Sequence, residues 1–470
     1  MKKVALHWQI LIALILAIIY GLIFTTSYKI TEDSYKQLNR RQVPSNVVEQ
    51  LHTLDGIEYD SWLTFIEALD QLPGHEKLEP FQPDIFKAAY YNPPISYVSW
   101  MGDLFIRLLK MLIIPLILSS LISGITSIGS GGNLGRLGLK TMFYYVMTSF
   151  FAIITGQILV NIFKPGVGAN INFIQEVEGL VEKQKSFLEI IVGIVPDNIM
   201  KAMVENDMLS IIFFAIIFGF FITKVAKQHK EILKNFFTSI FEVMMKVTLF
   251  VIKFTPLGIF GIVAKTVADQ DDLTGLVSSM GLYMLTVILA LAIHAGITLP
   301  LIVKYFGKAN PLKHFRNMTT PLLTAFSTSS SGATLPLTIQ AVEEKSGVSN
   351  KISSFTLPLG ATVNMDGTAL YECVAAIFIA QAYGVDLTFL QQIIIVFTAL
   401  LASIGAAAIP MAGLVMITVI LTAVGLPLEG VGLILAVDRI LDMFRTATNV
   451  WSDSCGAVVI AKSEGEVLKV

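Results

Sequence analysis

Long uninterrupted apolar runs constrain this chain more than any other feature. Residues 5–25, 97–128, 139–163, 209–226, 234–264, 276–303, 352–383 and 427–461 are predominantly apolar, each near or above the roughly 20 residues that a helix needs to cross a hydrocarbon core. In that solvent a backbone is satisfied only within a helix or a closed barrel, and the alternation of barrel strands is absent, so the runs are read as helices. Composition agrees, because only 14% of the residues are charged, against roughly 25% in soluble domains. Lys and Arg are scattered and the formal net charge is −2, which gives nucleic acid no basic footprint. Cys373 and Cys455 lack metal or redox spacing and are read as packing residues. The first run follows Lys2 and Lys3 as a signal peptide would, but no small-residue cleavage site comes after it, so it is read as the first span.

Two further apolar stretches do not fit that pattern. Residues 310–340 and 388–425 are interrupted by TAFSTSSSGATLP and ASIGAAAIPMAG, which leaves each half too short to cross. Both are expected to be re-entrant hairpins with their tips inside protein or beside a water-filled cavity. The expected fold class is an all-α membrane protein with eight transmembrane helices and two re-entrant helical hairpins. With a cytoplasmic N-terminus, Arg136, Lys140, Lys224, Lys227, Lys230, Lys304, Lys308, Lys313 and Arg316 all fall inside, while Asp269, Asp271 and Asp272 fall outside. Counting either hairpin as a crossing would place Lys462 and Lys469 outside, so both termini are expected to be cytoplasmic in a multi-pass protein of the plasma (inner) membrane.

The segments expected are a first helix in 1–26, an external insertion over 27–96, a second helix in 97–128 and a third in 129–163. The fourth and fifth membrane segments follow in 164–264, a sixth helix in 265–305 and the first hairpin in 306–345. A seventh helix broken at NMDGT occupies 346–386, the second hairpin 387–426, and the eighth helix with the C-terminus 427–470. The insertion is polar and proline-punctuated, helix-like over 61–71, and carries no assigned role beyond a solvated cap. The glycine-rich turn at 129–138 lacks the GKS or GxGxxG ending of a phosphate-binding loop.

Ionisable residues inside apolar spans are costly, about 2.5 kcal/mol or more at mid-bilayer, and so point to function. In AVDRILDMFRTATNVWSD, Asp438, Asp442, Arg445, Thr446, Asn449 and Asp453 stand at offsets 0, 4, 7, 8, 11 and 15. At about 100° per residue they share one helical face. Three carboxylates against one guanidinium leave negative charge that a purely structural ion-pair ladder would avoid, and that invites cations or a substrate ammonium.

In the seventh span, LGATVNMDGTALYE places Asn364, Thr368 and Glu372 on one face with Asp366 directed elsewhere, and Gly367 permits a break. A broken helix exposes carbonyl oxygens, which beside a carboxylate suit Na⁺. The hairpin run Ser327, Thr328, Ser329, Ser330 and Ser331 offers hydroxyl and N–H groups to a carboxylate guest. Glu372 lies in apolar surroundings that favour the neutral acid, which makes it a candidate proton carrier.

These motifs occur in an order and spacing that resemble the dicarboxylate/amino acid:cation symporters, the glutamate transporter family. The resemblance rests on STSSSGATLP, PLGATVNMDGTALYE, ASIGAAAIP and DRILDMFRTATNVWSD, with RLLKMLIIPLI and YYVMTS nearer the N-terminus, and covers nearly the whole chain outside the insertion. It implies that Asp442 holds the substrate ammonium and that Arg445 clamps the side-chain carboxylate. Thr446, Asn449, Thr368, the Ser329–Ser331 tip and the backbone at Ile409 and Gly413 would complete that pocket. A planar guanidinium suits a carboxylate, which favours glutamate or aspartate as substrate.

Implied sodium positions are Gly360, Asn364, Asn449 and Asp453; the backbone at Thr362, Ser403, Ile404 and Ala406; and Tyr145, Thr148, Ser149, Asn364 and Asp366. Glu372 matches the acidic position of proton-coupled members, so H⁺ joins Na⁺, while K⁺ counter-transport stays open. The resemblance also implies a homotrimer working as an elevator. Its scaffold would be 1–26, 97–128 and 164–264, and its moving transport domain the remaining helices with the hairpins as gates. Where many members carry a second arginine this chain has Ser329 and Met443, which leaves the partner of Asp438 undetermined. Arg439 projects about 100° away from Asp438. Ser452 replaces a common glycine, and Ala406 a threonine found in some relatives.

The function expected is cation-coupled symport of acidic amino acids, with carriage of C4-dicarboxylates or neutral amino acids as the alternative on the same fold. An enzyme is not expected. A serine protease needs a histidine base, and the one membrane candidate, His294, is read as a packed core residue without a polar partner in its span.

Overall fold

A computed structural model describes residues 6–128, 132–169, 192–193, 195–205, 207–270, 273–405 and 412–470. The chain divides into two compact units. The first comprises residues 1–107, 168–184 and 253–278, and the second residues 108–167, 185–252 and 279–470.

In the first unit, α1 (Leu6–Ile23) lies along a later helix of the same unit, described below. Between α1 and the next long helix the chain builds a small cap with its own core. The cap contains β1 (Ser27–Lys29), α2 (Glu32–Arg40), α3 (Ser45–Gln50), β2 (Glu58–Tyr59), α4 (Trp62–Asp70), α5 (Gln82–Ala89) and β3 (Tyr90–Tyr91). The strands pair antiparallel in the order β2-β1-β3. Thr31 and Ser61 start α2 and α4 with reciprocal side-chain and backbone bonds, satisfying amides that the first turn leaves free. The helix expected over 61–71 is thus α4 with Ser61 as its cap. Leu38, Leu51, Phe65, Leu69 and Ile85 are fully buried beneath these elements, and Tyr28 stacks on Phe65 with centroids 5.8 Å apart.

Next come α6 (Pro93–Ile128), α7 (Gly132–Phe163), α8 (Ile199–Val204), α9 (Met208–Ile222), α10 (Lys227–Ile252), α11 (Thr255–Ala268) and α12 (Leu273–Ile293). The run expected as one span over 234–264 is broken between α10 and α11. Pro256, which has no amide N–H, sits in the first turn of α11, the one place in a helix where that loss is harmless. It is α11 that packs along α1. Both feet of the cap are tied there. Thr26 Oγ1 and Tyr90 OH donate to Asp269 Oδ1 at 2.5 and 2.9 Å, and Asn92 Nδ2 donates to the Phe24 carbonyl at 2.9 Å.

Within the second unit, α12 runs through a π turn (His294–Thr298) into α13 (Leu299–Tyr305). Pro300 cannot reach back with an N–H, and the Ala295 carbonyl instead accepts from Trp451 Nε1 at 3.0 Å. Then follow α14 (Pro311–Asn317), α15 (Thr319–Thr328), α16 (Ser331–Gln340), α17 (Asn350–Val363), α18 (Asp366–Ala382), α19 (Phe389–Gly405), α20 (Ala412–Val424) and α21 (Val431–Ser463). α15 and α16 pack on each other, as do α19 and α20, giving two helical hairpins. The tip of the second, with Ala406 and Ile409, lies outside the described residues. Among the described residues five helices are long and apolar enough to cross a membrane: Pro93–Thr126, Arg136–Phe163, Lys227–Ile252, Thr274–Tyr305 and Asn350–Ala382. In the last, every residue from Val363 to Ala380 is buried by its neighbours, which places the broken helix at the centre of the unit.

Candidate functional site

The site begins where the seventh span unwinds. α17 ends at Val363 and α18 starts at Asp366, leaving Asn364 extended and Met365 non-helical between them. The start of α18 leaves N–H groups without intrahelical partners, and Asn449 of α21 accepts from Gly367 N at 2.8 Å. The same side chain donates to Thr368 Oγ1 at 3.1 Å. One amide therefore fixes the break against the last helix.

Around the break the polar groups form one buried network. Asp366 Oδ1 accepts from Ser149 Oγ at 2.6 Å and Thr148 Oγ1 at 3.2 Å, and Thr148 also reaches Asn364 Oδ1 at 3.5 Å. Asn364 Nδ2 donates to Asp453 Oδ1 at 2.9 Å and to Ser452 Oγ at 3.0 Å, while Ser452 Oγ donates to Asp366 Oδ2 at 2.6 Å. Asn364 and Asp366 thus converge on Ser452 rather than pointing apart, because the unwound turn cancels the helical phase between them. Ser452, noted in the sequence only as a departure from glycine, is the hinge of this network.

His294 is the packed core residue read from the sequence, with a polar partner from outside its own span. It is buried, and its Nε2 lies 3.1 Å from Asp366 Oδ2. The partner sits on another helix, 72 residues away, where a search of its own span could not find it.

Of the expected sodium positions, Thr148, Ser149, Asn364 and Asp366 are brought together directly. Tyr145 instead donates to the Thr356 carbonyl at 2.8 Å and stands over Gly360. A Cβ at Gly360 would collide with the Asp453 carboxylate and the Tyr145 hydroxyl, so only glycine lets these oxygens approach the backbone. Thr362 turns its exposed hydroxyl onto the Leu359 carbonyl, and Ser403 bonds to Leu400 within α19, where Ile404 is also placed. Among the described residues no group of three or more His, Cys, Asp or Glu forms a transition-metal-like cluster. The oxygens here come from amides, hydroxyls, carbonyls and carboxylates, the hard donors that Na⁺ accepts.

One turn along α21 lies the charged centre. Arg445 is 1% exposed, with Nη2 donating to Asp442 Oδ1 at 2.7 Å and Nη1 3.2 Å from Asp438 Oδ1. Its guanidinium carbon sits 4.0 Å from the centre of the Tyr371 ring, and Tyr371 OH donates to Asp438 Oδ1 at 2.7 Å. Asp438 therefore pairs with Arg445 and Tyr371, while Arg439 lies 3.7 Å from Asp442. Tyr371 was missed in the sequence because nothing marks a tyrosine beside Glu372 as polar machinery. Arg445 Nε and Nη1, Asp442 Oδ2 and Asp438 Oδ2 are buried without hydrogen-bond partners among the described residues. Gly413 presses its backbone against the guanidinium, since a Cβ there would stand 2.7 Å from Nη1. Thr446 is buried beside it on α21.

The first hairpin brings its tip to the same helices. Ser329 holds a left-handed backbone (φ 51°), buried, with its Oγ unpartnered among the described residues. For a non-glycine residue that conformation stores strain of about 1 kcal/mol or more, a feature that clusters at functional sites. Ser330 caps α16 by accepting from Ala333 N at 3.2 Å, and Ser331 Oγ donates to the Ala361 carbonyl at 3.3 Å beside the break. α15 packs on α21 through Phe326 and Phe444, centroids 5.0 Å apart. Glu372 is fully buried one turn beyond Thr368, and neither of its oxygens has a hydrogen-bond partner among the described residues. A neutral, proton-bearing acid is the form such surroundings tolerate.

Among the described residues the arrangement therefore gathers a buried guanidinium, carboxylates and hard oxygen donors around the unwound turn. The profile of the Sodium:dicarboxylate symporter family matches residues 6–463. The chain is 38% identical to the Proton/sodium-glutamate symport protein of Bacillus subtilis, over 80% of this chain and 88% of that one. It is 37% identical to Excitatory amino acid transporter 3 of Mus musculus, over 78% and 79%, and 38% identical to an Excitatory amino acid transporter of Caenorhabditis elegans, over 78% and 81%. The chain belongs to the sodium:dicarboxylate symporter family, whose members are membrane transporters rather than enzymes.

Proposed function

We propose that this chain carries glutamate or aspartate across the membrane together with Na⁺, and that a proton on Glu372 accompanies them. The observation that carries this reading is the buried Arg445, whose Nε and Nη1 have no hydrogen-bond partner among the described residues, beside an Asp442 oxygen that also has none. A buried guanidinium with free N–H groups is a bidentate carboxylate receptor, and an adjacent carboxylate suits an ammonium. The names of the relatives, a glutamate symport protein and excitatory amino acid transporters, support the same substrate class.

The substrate pocket is formed by Asp442, Arg445, Thr446, Asn449, Thr368, the Ser329–Ser331 tip, Gly413 and Ile409. Na⁺ is held at three places. The first is Tyr145, Thr148, Ser149, Asn364 and Asp366; the second Gly360, Asn364, Asn449 and Asp453; the third the backbone of Thr362, Ser403, Ile404 and Ala406. Charge accounting explains the coupling. Asp366, Asp438, Asp442 and Asp453 against Arg445 leave surplus negative charge, and an acidic amino acid adds more, so loading requires cations. The protein crosses the plasma membrane eight times with both termini cytoplasmic, works as a homotrimer, and moves its substrate-bearing helices as an elevator with the hairpins as gates.

The test is uptake into proteoliposomes under an inward Na⁺ gradient, with radiolabelled aspartate competed by glutamate, succinate and serine. Accumulation that needs Na⁺ and is suppressed by glutamate but not by serine or succinate is expected. Preferential suppression by succinate would instead assign the pocket to C4-dicarboxylates.

A further inference from the structure

We propose that the second unit carries a binding site for an anionic phospholipid, formed by α12, α13, the start of the first hairpin and α21, apart from the substrate pocket. Two adjoining cavities define it. One, of about 330 Å³, is lined by apolar side chains including Ile288, Leu291, Phe326 and Phe444. The other, of about 830 Å³, opens between Lys304 and Lys308. They meet across Ala295, Phe315 and Trp451, which line both.

The smaller of the two is an open, apolar groove. Its hydrogen-bonding side chains are all spent on backbone: Thr319 on the Arg316 carbonyl at 2.9 Å, Thr448 on Phe444 at 2.9 Å, and Trp451 Nε1 on Ala295 at 3.0 Å. A space of roughly ten water volumes with no polar partner to offer takes an apolar guest. The outer mouth has the opposite character. Lys304 and Lys308 are exposed there, no acidic side chain lines either cavity, and neither lysine has a carboxylate within ion-pair distance among the described residues.

Length and charge together choose the occupant. From Lys304 back to Ile288 is 16 residues of nearly continuous helix, about 24 Å at 1.5 Å per residue. One leaflet with its headgroups is about 20–22 Å deep. A phosphodiester between the two lysines thus places its acyl chain in the apolar groove. A neutral lipid would leave the lysines unused, and a free phosphate would leave the apolar cavity unused.

The test uses the full chain in phosphatidylcholine vesicles containing a trace of phosphatidylglycerol with a photoreactive acyl chain, and in parallel the same probe on phosphatidylcholine. The phosphatidylglycerol probe is expected to label peptides of α12 and α21 around Leu291 and Ala447 in preference to the phosphatidylcholine probe. Lys304→Gln with Lys308→Gln reduces that preference up to about 30-fold, at about 1 kcal/mol per lysine. Ala447→Phe, which fills the apolar groove and leaves the lysines, lowers labelling by both probes. Equal labelling by the two probes, labelling that survives both variants, loss of label to added glycerol phosphate, or no label at these helices because protein covers them would each overturn the proposal.

Discussion

Replacing Arg445 by Gln tests the charged centre most sharply. The guanidinium is 1% exposed and lies against Asp442 at 2.7 Å, Asp438 at 3.2 Å and the Tyr371 ring at 4.0 Å. Removing one partner of a buried ion pair costs about 3–5 kcal/mol of stability. The lower end applies here, because Asp438 keeps the Tyr371 hydroxyl at 2.7 Å and Asp442 keeps Arg439 at 3.7 Å. The substrate loses a charge-assisted pair worth about 1.5–3 kcal/mol, which is about 10- to 150-fold in affinity. Serine has no side-chain carboxylate and loses little, so the preference for aspartate over serine falls by the same factor. Competition against radiolabelled aspartate uptake, with thermal unfolding followed on the same preparation, separates the two effects. A folded variant that keeps its full preference for acidic substrates would refute the assignment of Arg445.

Three further outcomes follow from the geometry. Gly360→Ala drives a methyl group into Asp453 and Tyr145, an overpacking of about 1–3 kcal/mol that raises the Na⁺ concentration for half-maximal uptake by about fivefold or more. Glu372→Gln leaves Na⁺-driven uptake intact and removes the extra uptake produced by an inward pH gradient at clamped voltage. At the cap, burial is the largest influence on the Asp269 carboxyl and pushes it above the ordinary carboxylate range, against the downward pull of Thr26, Lys265 and Tyr90. A raised folded value contributes stability at acidic pH that is lost as pH climbs through it. Limited proteolysis of residues 27–96 should therefore quicken on going from acidic to neutral pH, and Asp269→Asn should flatten that dependence.

The polar face of α21 was legible because helical periodicity alone aligns Asp438, Asp442, Arg445, Asn449 and Asp453, and the break at Asn364 was legible because NMDGT cannot continue an apolar helix comfortably. What the sequence hid were contacts between distant elements. His294 finds Asp366, and Tyr371 finds Arg445, only when three helices close around the unwound turn. The same turn explains the misread phase of Asp366, since counting at about 100° per residue fails where the helix stops. The cap's strands were invisible because two or three residues are too few to show alternation.

The most direct test is equilibrium binding of aspartate to the purified chain at increasing Na⁺, with choline keeping the ionic strength constant. If mobile cations balance the carboxylates around Arg445, the dissociation constant falls by an order of magnitude or more as Na⁺ rises, and Asp366→Asn blunts that fall. An aspartate affinity that does not change with Na⁺ would contradict the account.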